Sequence, residues 1–441
     1  MNRRDFLRGS AAASWAAAAA AATAPAKQAT AAANERITVA AIGVRGRGWA
    51  LLSTFAALRD VTVKYVGDVD QSVLGARTEA VAKQIGRHPE MIKDFRRALD
   101  DKAVDAIVLG TPDHWHALPA IMACQAGKDV YVEKPDAHNA LEGRVMIAAA
   151  RKYGRIVQVG TQSRSSPHFL SAIAYLSKGS LGRVHLAKAW ESSRQGSIGH
   201  PPDGDPPRGV DYDMWLGPAP KRPFNVRRFH GTWRWFFDYG TGDLGNDGVH
   251  RLDVARWALA AAVAAGGGKL PDLPRSVAAY GGKYYFDDDQ QWPDTLMVTY
   301  DYPGCVLSYE MRVWSPHVID GEAEGAAVFG DQGYIILGNS RWRAYDAKGK
   351  LAAEDRGSYD NSAHAVNFLD CMRTRKRPNA DLESIGHPSS LLCHLGNAAW
   401  RSGRSVRFDP ESYDFGSPEA NRFRTRPEYR KPWLLPEIGR V

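Results

Sequence analysis

From Glu35 onward the chain alternates short apolar runs with amphipathic stretches, and the alternation changes character near Gly182. Ile37 to Ile42 is a continuous apolar run, which predicts a strand buried on both faces, and the mixed stretch Trp49 to Leu58 predicts a short helix after it. Val61 to Val66, Val104 to Gly110, Asp129 to Val132 and Arg155 to Gly160 continue the series of strands. Helices between them end at Ala126, before Gly127, and near Tyr153, and Asn139 with Glu142 three residues on has the spacing of a capping box for the second. Strand and helix in alternation predict βαβ units and a doubly wound parallel sheet of Rossmann type over residues 34–162.

Beyond Gly182 the runs become extended: Val184 to Trp190, Val277 to Tyr285, Thr295 to Tyr300, Cys305 to Val313, Ala326 to Phe329 and Tyr334 to Leu337, each bounded by Gly, Pro or Asp. That pattern predicts an antiparallel sheet in a second α/β domain, residues 163–441, with the amphipathic helices Ser362 to Arg373 and His387 to Arg401 packed back on the domains. Ser197 to Gly209, rich in Gly and Pro, predicts a long loop without an element of its own.

The N-terminus departs from both patterns. Asn2-Arg3-Arg4-Asp5-Phe6-Leu7-Arg8 is a twin-arginine pattern, followed by an Ala-rich stretch from Ala11 to Ala22 and small-residue cleavage options ending at Ala24 and Ala26. Residues 1–33 therefore read as an export signal and linker, which places the mature protein in the periplasm with no membrane association after cleavage. The net charge of +8 is dispersed, apart from Arg373-Thr374-Arg375-Lys376-Arg377, so no nucleic-acid footprint is present. Cys124, Cys305, Cys371 and Cys393 are scattered without a C-x-x-C, so neither a disulfide framework nor a zinc site is signalled, and no metal is expected.

The candidate chemistry sits at the ends of the predicted strands. Gly43, Gly46 and Gly48 form a G-x-x-G-x-G turn between strand and helix, with Arg45 where a second glycine is usual, and Asp68 ends the next strand about 20 residues later. That is a dinucleotide unit, with pyrophosphate at the helix N-terminus and Asp68 on the adenosine ribose. A carboxylate there repels a 2′-phosphate and favours NAD over NADP, which Arg45 or Arg47 could offset. Asp129-Val130-Tyr131-Val132-Glu133-Lys134-Pro135 brings an ammonium to a strand's carboxyl end beside that cofactor. His114 and His116, two apart on a first helical turn, point in different directions and are no metal pair. Trp215, Trp233, Trp235, Phe236, Phe237 and Tyr239 are core residues by default, and some could form a stacking platform for a sugar.

The order of these motifs, with Thr111-Pro112-Asp113-His114-Trp115-His116, Glu133-Lys134-Pro135, Gly160-Thr161-Gln162-Ser163-Arg164 and Leu244-Gly245-Asn246-Asp247-Gly248-Val249-His250-Arg251-Leu252-Asp253, resembles the Gfo/Idh/MocA oxidoreductase family over nearly the whole chain after the signal. The resemblance implies an open sheet in the second domain, a homo-oligomer, and activity on sugars, cyclitols or their derivatives. It places Lys134 against substrate and nicotinamide, commonly with a cis proline after it. It implies further cofactor contacts at Thr111, Pro112, His116, Glu133 and Gln162, and substrate contacts at Arg164, Trp233, Asn246 and His250. The family pattern has Asp four residues before its histidine; here Asn246 stands there, and Asp247 lies three residues before His250. The implied function is an NAD-dependent oxidation of a sugar or glycoside secondary alcohol, with Lys134, His250 and Asp247 as catalytic residues. Two alternatives are a glycoside hydrolase that uses bound NAD transiently and a carbohydrate-binding protein without turnover. A nicotinamide enzyme exported in the folded state must also carry its cofactor with it and recycle it internally.

Replacing Arg3 and Arg4 by Lys is expected to block export and leave the protein in the cytoplasmic fraction. Unchanged export of the double variant would contradict the twin-arginine assignment.

Overall fold

The computed structural model describes residues 36–441, and the twin-arginine segment lies outside the described residues. Residues 37–441 form one compact unit built on two sheets.

The first sheet has six parallel strands: β1 (Ile37–Ile42), β2 (Val61–Gly67), β3 (Glu90–Ile92), β4 (Ala106–Leu109), β5 (Asp129–Val132) and β6 (Val157–Val159). Their order, β3-β2-β1-β4-β5-β6, is that of the doubly wound fold. The apolar runs are buried on both faces, as helix-covered parallel strands must be. Register then aligns the strand ends. Gly67, Ile42, Leu109, Val132 and Val159 are successive partners across the sheet, so the residues after them share one edge. Helices α1 (Arg47–Ala56), α2 (Gln71–Ile85), α3 (Ala117–Gln125) and α4 (Ala140–Lys152) supply the crossovers. At α4 the side chain of Asn139 accepts from the Glu142 amide at 3.1 Å, but Glu142 accepts from the amide of His138 at 3.0 Å instead of from its capping residue.

The second sheet has eight strands in the order β14-β13-β12-β11-β7-β10-β9-β8, comprising β7 (Val184–Glu191), β8 (Ser276–Gly282), β9 (Thr295–Tyr302), β10 (Cys305–Arg312), β11 (Glu324–Gly330), β12 (Gly333–Leu337), β13 (Arg341–Asp346) and β14 (Leu351–Arg356). All pairs are antiparallel except β7 with β10. Helix α5 (Val249–Ala265) packs on β7 and β11 and covers one face. Three strands carry no apolar run that predicts them. β3 is three residues long; the edge strand β14 is exposed at five of its six positions and ends in Glu354, Asp355 and Arg356, which is how edges avoid pairing with other chains, while β13 inside it buries only Trp342 and Ala344. Residues 197–209 form no strand or helix, apart from a single bridge between Gly204 and Phe224.

Helix α6 (Asn361–Thr374) returns to the first sheet, while α7 (His387–Ser402) packs on α5 and β8. Phe368 on α6 is fully buried edge-on against Phe55 of α1 and Tyr131 of β5, with ring centres 6.2 and 5.9 Å apart. These rings share one core with Val39, Val63 and Ala106, so a segment distant in sequence completes the layer over β1, β2 and β4. No helix among the described residues is long and apolar enough to cross a membrane.

Phe368→Ala leaves a ring-sized cavity beneath the strand that carries Lys134. It is expected to cost about 3–5 kcal/mol in chemical denaturation, and a loss below about 1 kcal/mol would show that α6 does not hold this layer.

Candidate active site

The common edge of β1, β2, β4 and β5 opens into a cavity of about 320 Å³. Gly43, Arg45, Gly46, Arg47, Asp68, Thr111, Pro112, His116, Glu133 and Lys134 line it from the first sheet, and Trp233 and Asn246 from the second domain.

The glycine-rich turn has two distinct steric requirements. Gly43 has φ 74°, and a Cβ there would lie 2.8 Å from the backbone of Thr111. At Gly48 a Cβ would lie 1.7 Å from the Gly43 carbonyl oxygen, so this glycine lets α1 pack against the turn and does not itself reach the cavity. No side chain caps the first turn of α1, and Gly46 leaves the space beside it open. Free helix N-terminal amides next to open space are the ordinary receptor for a phosphate. Asp68 accepts from the amides of Val44 at 2.9 Å and Asp70 at 3.0 Å. Burial raises its carboxyl above the usual range, and those two amides offset only part of that rise. A phosphate cradle, a wall carboxylate for the ribose and a lysine at the far end together fit a dinucleotide.

Glu133 is buried at the end of β5, where it accepts from Arg47 Nε at 2.8 Å and from Gln162 Nε2 at 3.0 Å. Burial pushes its carboxyl upward, but the charges of Arg47 and Lys134 outweigh that push and hold it below the usual range. Lys134 comes next, with a cis peptide to Pro135. Its Nζ donates to the backbone carbonyl of Asn246 at 2.6 Å and to the Asn246 side-chain oxygen at 3.1 Å. An ammonium has three donors, so one remains for a ligand oxygen. His116 ties the two strand ends together, its ring nitrogens 2.6 Å from the Pro135 carbonyl oxygen and 2.8 Å from that of Thr111.

Asn246 and Asp247 belong to a π-helical turn, Leu244–Gly248, that leads into α5. The Asn246 amide nitrogen donates to Asp247 at 3.1 Å and Asp243 at 3.3 Å, so one side chain stands between the Lys134 ammonium and two carboxylates. Behind them lies Glu191, fully buried at the end of β7. Burial first, and then the negative charges of Asp243, Glu324 and Asp247, push its carboxyl well above the usual range; burial and Asp247 do the same to Asp243.

Five residues expected as contacts lie outside the cavity wall. Gly48 is a packing glycine. Gln162 is buried behind Glu133 and also donates to the Tyr131 hydroxyl at 2.9 Å. Arg164 is not available to a substrate: it is buried in a two-pronged pair with Asp253, at 2.7 and 2.9 Å, and lies over the ring of Trp257. Asp247 faces Asn246 and the acidic group behind it. His250 is one turn further along the helix, half-buried, with Nδ1 unpartnered. Burial and then the nearby charges of Lys134, Arg251 and Arg47 keep its imidazole neutral.

Sequence reasoning missed the strap formed by His230, Gly231 and Arg234, which lines the same cavity. Arg45 donates to the His230 carbonyl at 2.8 Å, and His230 Nε2 meets Asp70 at 2.6 Å. Chain direction reinforces the closure, since the Gln71 amide donates to Gly209 and the Asp211 amide to Val69. The only sequence signal for the strap is the aromatic concentration around it.

Glu191→Gln offers a test of the acidic group. The native state keeps a proton on Glu191 that the unfolded chain releases once pH exceeds the ordinary carboxylate value, so ionisation opposes folding increasingly as pH rises. The variant is therefore expected to be more stable than the parent, by a margin that widens from pH 5 to pH 8 in thermal melts. A margin that narrows over that range would contradict the assignment.

Comparison with known proteins agrees with this architecture. Residues 37–161 match the family model described as "Oxidoreductase family, NAD-binding Rossmann fold", and residues 188–435 match "Oxidoreductase family, C-terminal alpha/beta domain". The uncharacterized oxidoreductase YrbE of Bacillus subtilis (strain 168) is 29% identical over 388 residues, covering 87% of this chain and 96% of that protein. The scyllo-inositol 2-dehydrogenase (NAD(+)) of the same organism is 24% identical over 350 residues, covering 76% and 86%. Among solved structures, aldose-aldose oxidoreductase from Caulobacter crescentus superposes with a TM-score of 0.63 at 20% identity, covering 85% of this chain and 100% of that one. A phosphate cradle at β1, a lysine at the end of β5 and family matches across both sheets make this chain a member of the Gfo/Idh/MocA oxidoreductase family, with an NAD-binding Rossmann domain and the family's C-terminal alpha/beta domain.

Proposed function

We propose that the protein is an exported, NAD-dependent oxidoreductase for the secondary alcohol of a sugar or glycoside, and that it keeps its cofactor through a redox-neutral cycle. The observation that carries this reading is that the dinucleotide cavity is walled from both domains. Arg45 on the phosphate turn is tied to His230, and His230 to Asp70, so the strap is held over the end of the cavity where the phosphates would lie, which favours slow exchange of a dinucleotide. A scyllo-inositol dehydrogenase among the relatives supports a polyhydroxylated substrate, and the twin-arginine pattern supports export in the folded state.

In this reading a dinucleotide held by the glycine-rich turn and Asp68 would supply the hydride acceptor for the substrate carbon and the hydride donor for the return step. The chain's own residues manage the proton. Lys134, fixed by Asn246, presents its remaining N–H to the substrate oxygen, and the neutral imidazole of His250, one helical turn behind the Asn246 wall, takes the hydroxyl proton and gives the same proton back when the hydride returns. Asn246 orients and takes no proton, because an amide is no base at neutral pH. Asp247, turned toward Asn246, acts through that orientation. A cycle of this kind ends in transfer between two sugars, in epimerisation, or in glycoside cleavage through a keto intermediate.

Two outcomes are expected. Protein isolated from periplasm should retain about one NAD(H) per chain after extensive dialysis, consistent with nanomolar or tighter affinity at ordinary association rates. An apo preparation that turns over only with stoichiometric soluble NAD would refute the retained cofactor. Lys134→Met should lower turnover by about 10² to 10⁴ while leaving the bound NAD content unchanged, and a near-normal rate would remove Lys134 from the chemistry.

A further inference from the structure

A second cavity, of about 380 Å³, shares no wall residue with the first. It is enclosed by the start of α4, the segment around Gly240, helix α7 and residues 422–428. Its polar groups are placed for a ligand. His394 and Asn397, on one face of α7 and 4% and 6% exposed, each leave a buried polar atom without a partner, Nε2 and Oδ1. Both ring nitrogens of His138 and Nη2 of the buried Arg426 are likewise unpartnered. Buried polar atoms are almost always satisfied, and several unsatisfied atoms around one void point to something that fills it.

Two exposed cations line the mouth, Arg422 and, on the last turn of α7, Arg401, which is the one held in place by aromatic rings. Its guanidinium carbon lies 4.0 Å from the ring centre of Phe237 and 4.2 Å from that of Phe423, so two rings fix the plane of the group. No carboxylate among the described residues pairs with it: Asp238 is taken by Arg222 at 2.9 Å, and Glu428 in the wall is exposed and engaged by no group. A guanidinium held flat with its donors free matches a carboxylate, which it grips through two parallel hydrogen bonds. Deeper in, burial keeps the imidazoles of His394 and His138 neutral. A neutral imidazole and an amide each combine donor and acceptor, the complement of a hydroxyl group.

We propose that this cavity is a binding site for a small hydroxylated carboxylate of the sugar-acid class, with the carboxylate on Arg401 and the hydroxyls on His394, Asn397 and His138. The site is independent of the redox chemistry proposed for the first cavity, and its test separates the two. Isothermal titration of the purified full chain with D-glucuronate should give saturable binding, with D-glucose and inorganic phosphate as controls that bind at least about tenfold more weakly. Arg401→Met should weaken glucuronate binding by at least about tenfold, Arg401→Lys by less, and Lys134→Met should leave it unchanged, with melting temperatures recorded for every variant. Absence of saturable glucuronate binding, equal binding of phosphate, or binding lost in Lys134→Met but kept in Arg401→Met would overturn the proposal. Should Arg401→Met fail to fold, Arg401→Lys and Asn397→Ser decide the matter by the same titration.

Discussion

The hold of Asn246 on the Lys134 ammonium is the interaction on which the site depends. A half-buried cation at a strand end must find acceptors, and here both come from a single residue of the other domain, at 2.6 and 3.1 Å. The pair joins the last strand of the nucleotide edge to the π-helical turn that leads into α5, and through α5 to the second sheet. It also accounts for the amide at a position where the family pattern has a carboxylate. With Asp243, Asp247 and Glu191 already crowded on one side, a further negative charge would add to a repulsion that holds two of these carboxyls above their usual range. The amide gives Lys134 its acceptor oxygen and turns its N–H₂ toward the acids, satisfying both sides with no net charge.

The parts of the fold that were legible in the sequence are those where burial writes a pattern. Strands covered on both faces read as continuous apolar runs, and the glycines, Asp68 and Lys134 stand at the ends of those runs, so register alone gathers them on one edge. β3 and β14 left no such trace, because an edge strand gains from charge and exposure, not from apolar continuity, and β13 buries only Trp342 and Ala344 and so has no continuous apolar run. The docking of α6 was hidden for a different reason: Phe368 looks like any helical core residue until its partners, Phe55 and Tyr131, are brought to it from far away in the chain.

The site was legible in the same uneven way. Residues fixed by local geometry, the glycine-rich turn and the lysine after β5, stand where their motifs put them. Arg164 does not, because its role is set by Asp253, a partner 89 positions away that no local pattern announces. The strap through His230 and Arg234 is a third kind of case. It acts by tertiary position over the nucleotide edge, and its sequence carries aromatic weight without a motif. Sequence reasoning therefore placed the glycine-rich turn, Asp68 and Lys134 at the cavity and missed the strap that closes over them.

The deciding question is whether the nicotinamide is reduced and reoxidised without leaving its cavity. Rapid mixing of the purified protein with a panel of aldoses and glycosides, with no NAD added, tracks the near-ultraviolet absorbance of the reduced nicotinamide directly. A retained cofactor predicts that an accepted sugar raises this absorbance on the bound dinucleotide and that it returns to baseline as product forms, with nothing released on filtration. Free NADH appearing in step with product, and only when soluble NAD is supplied, would contradict it.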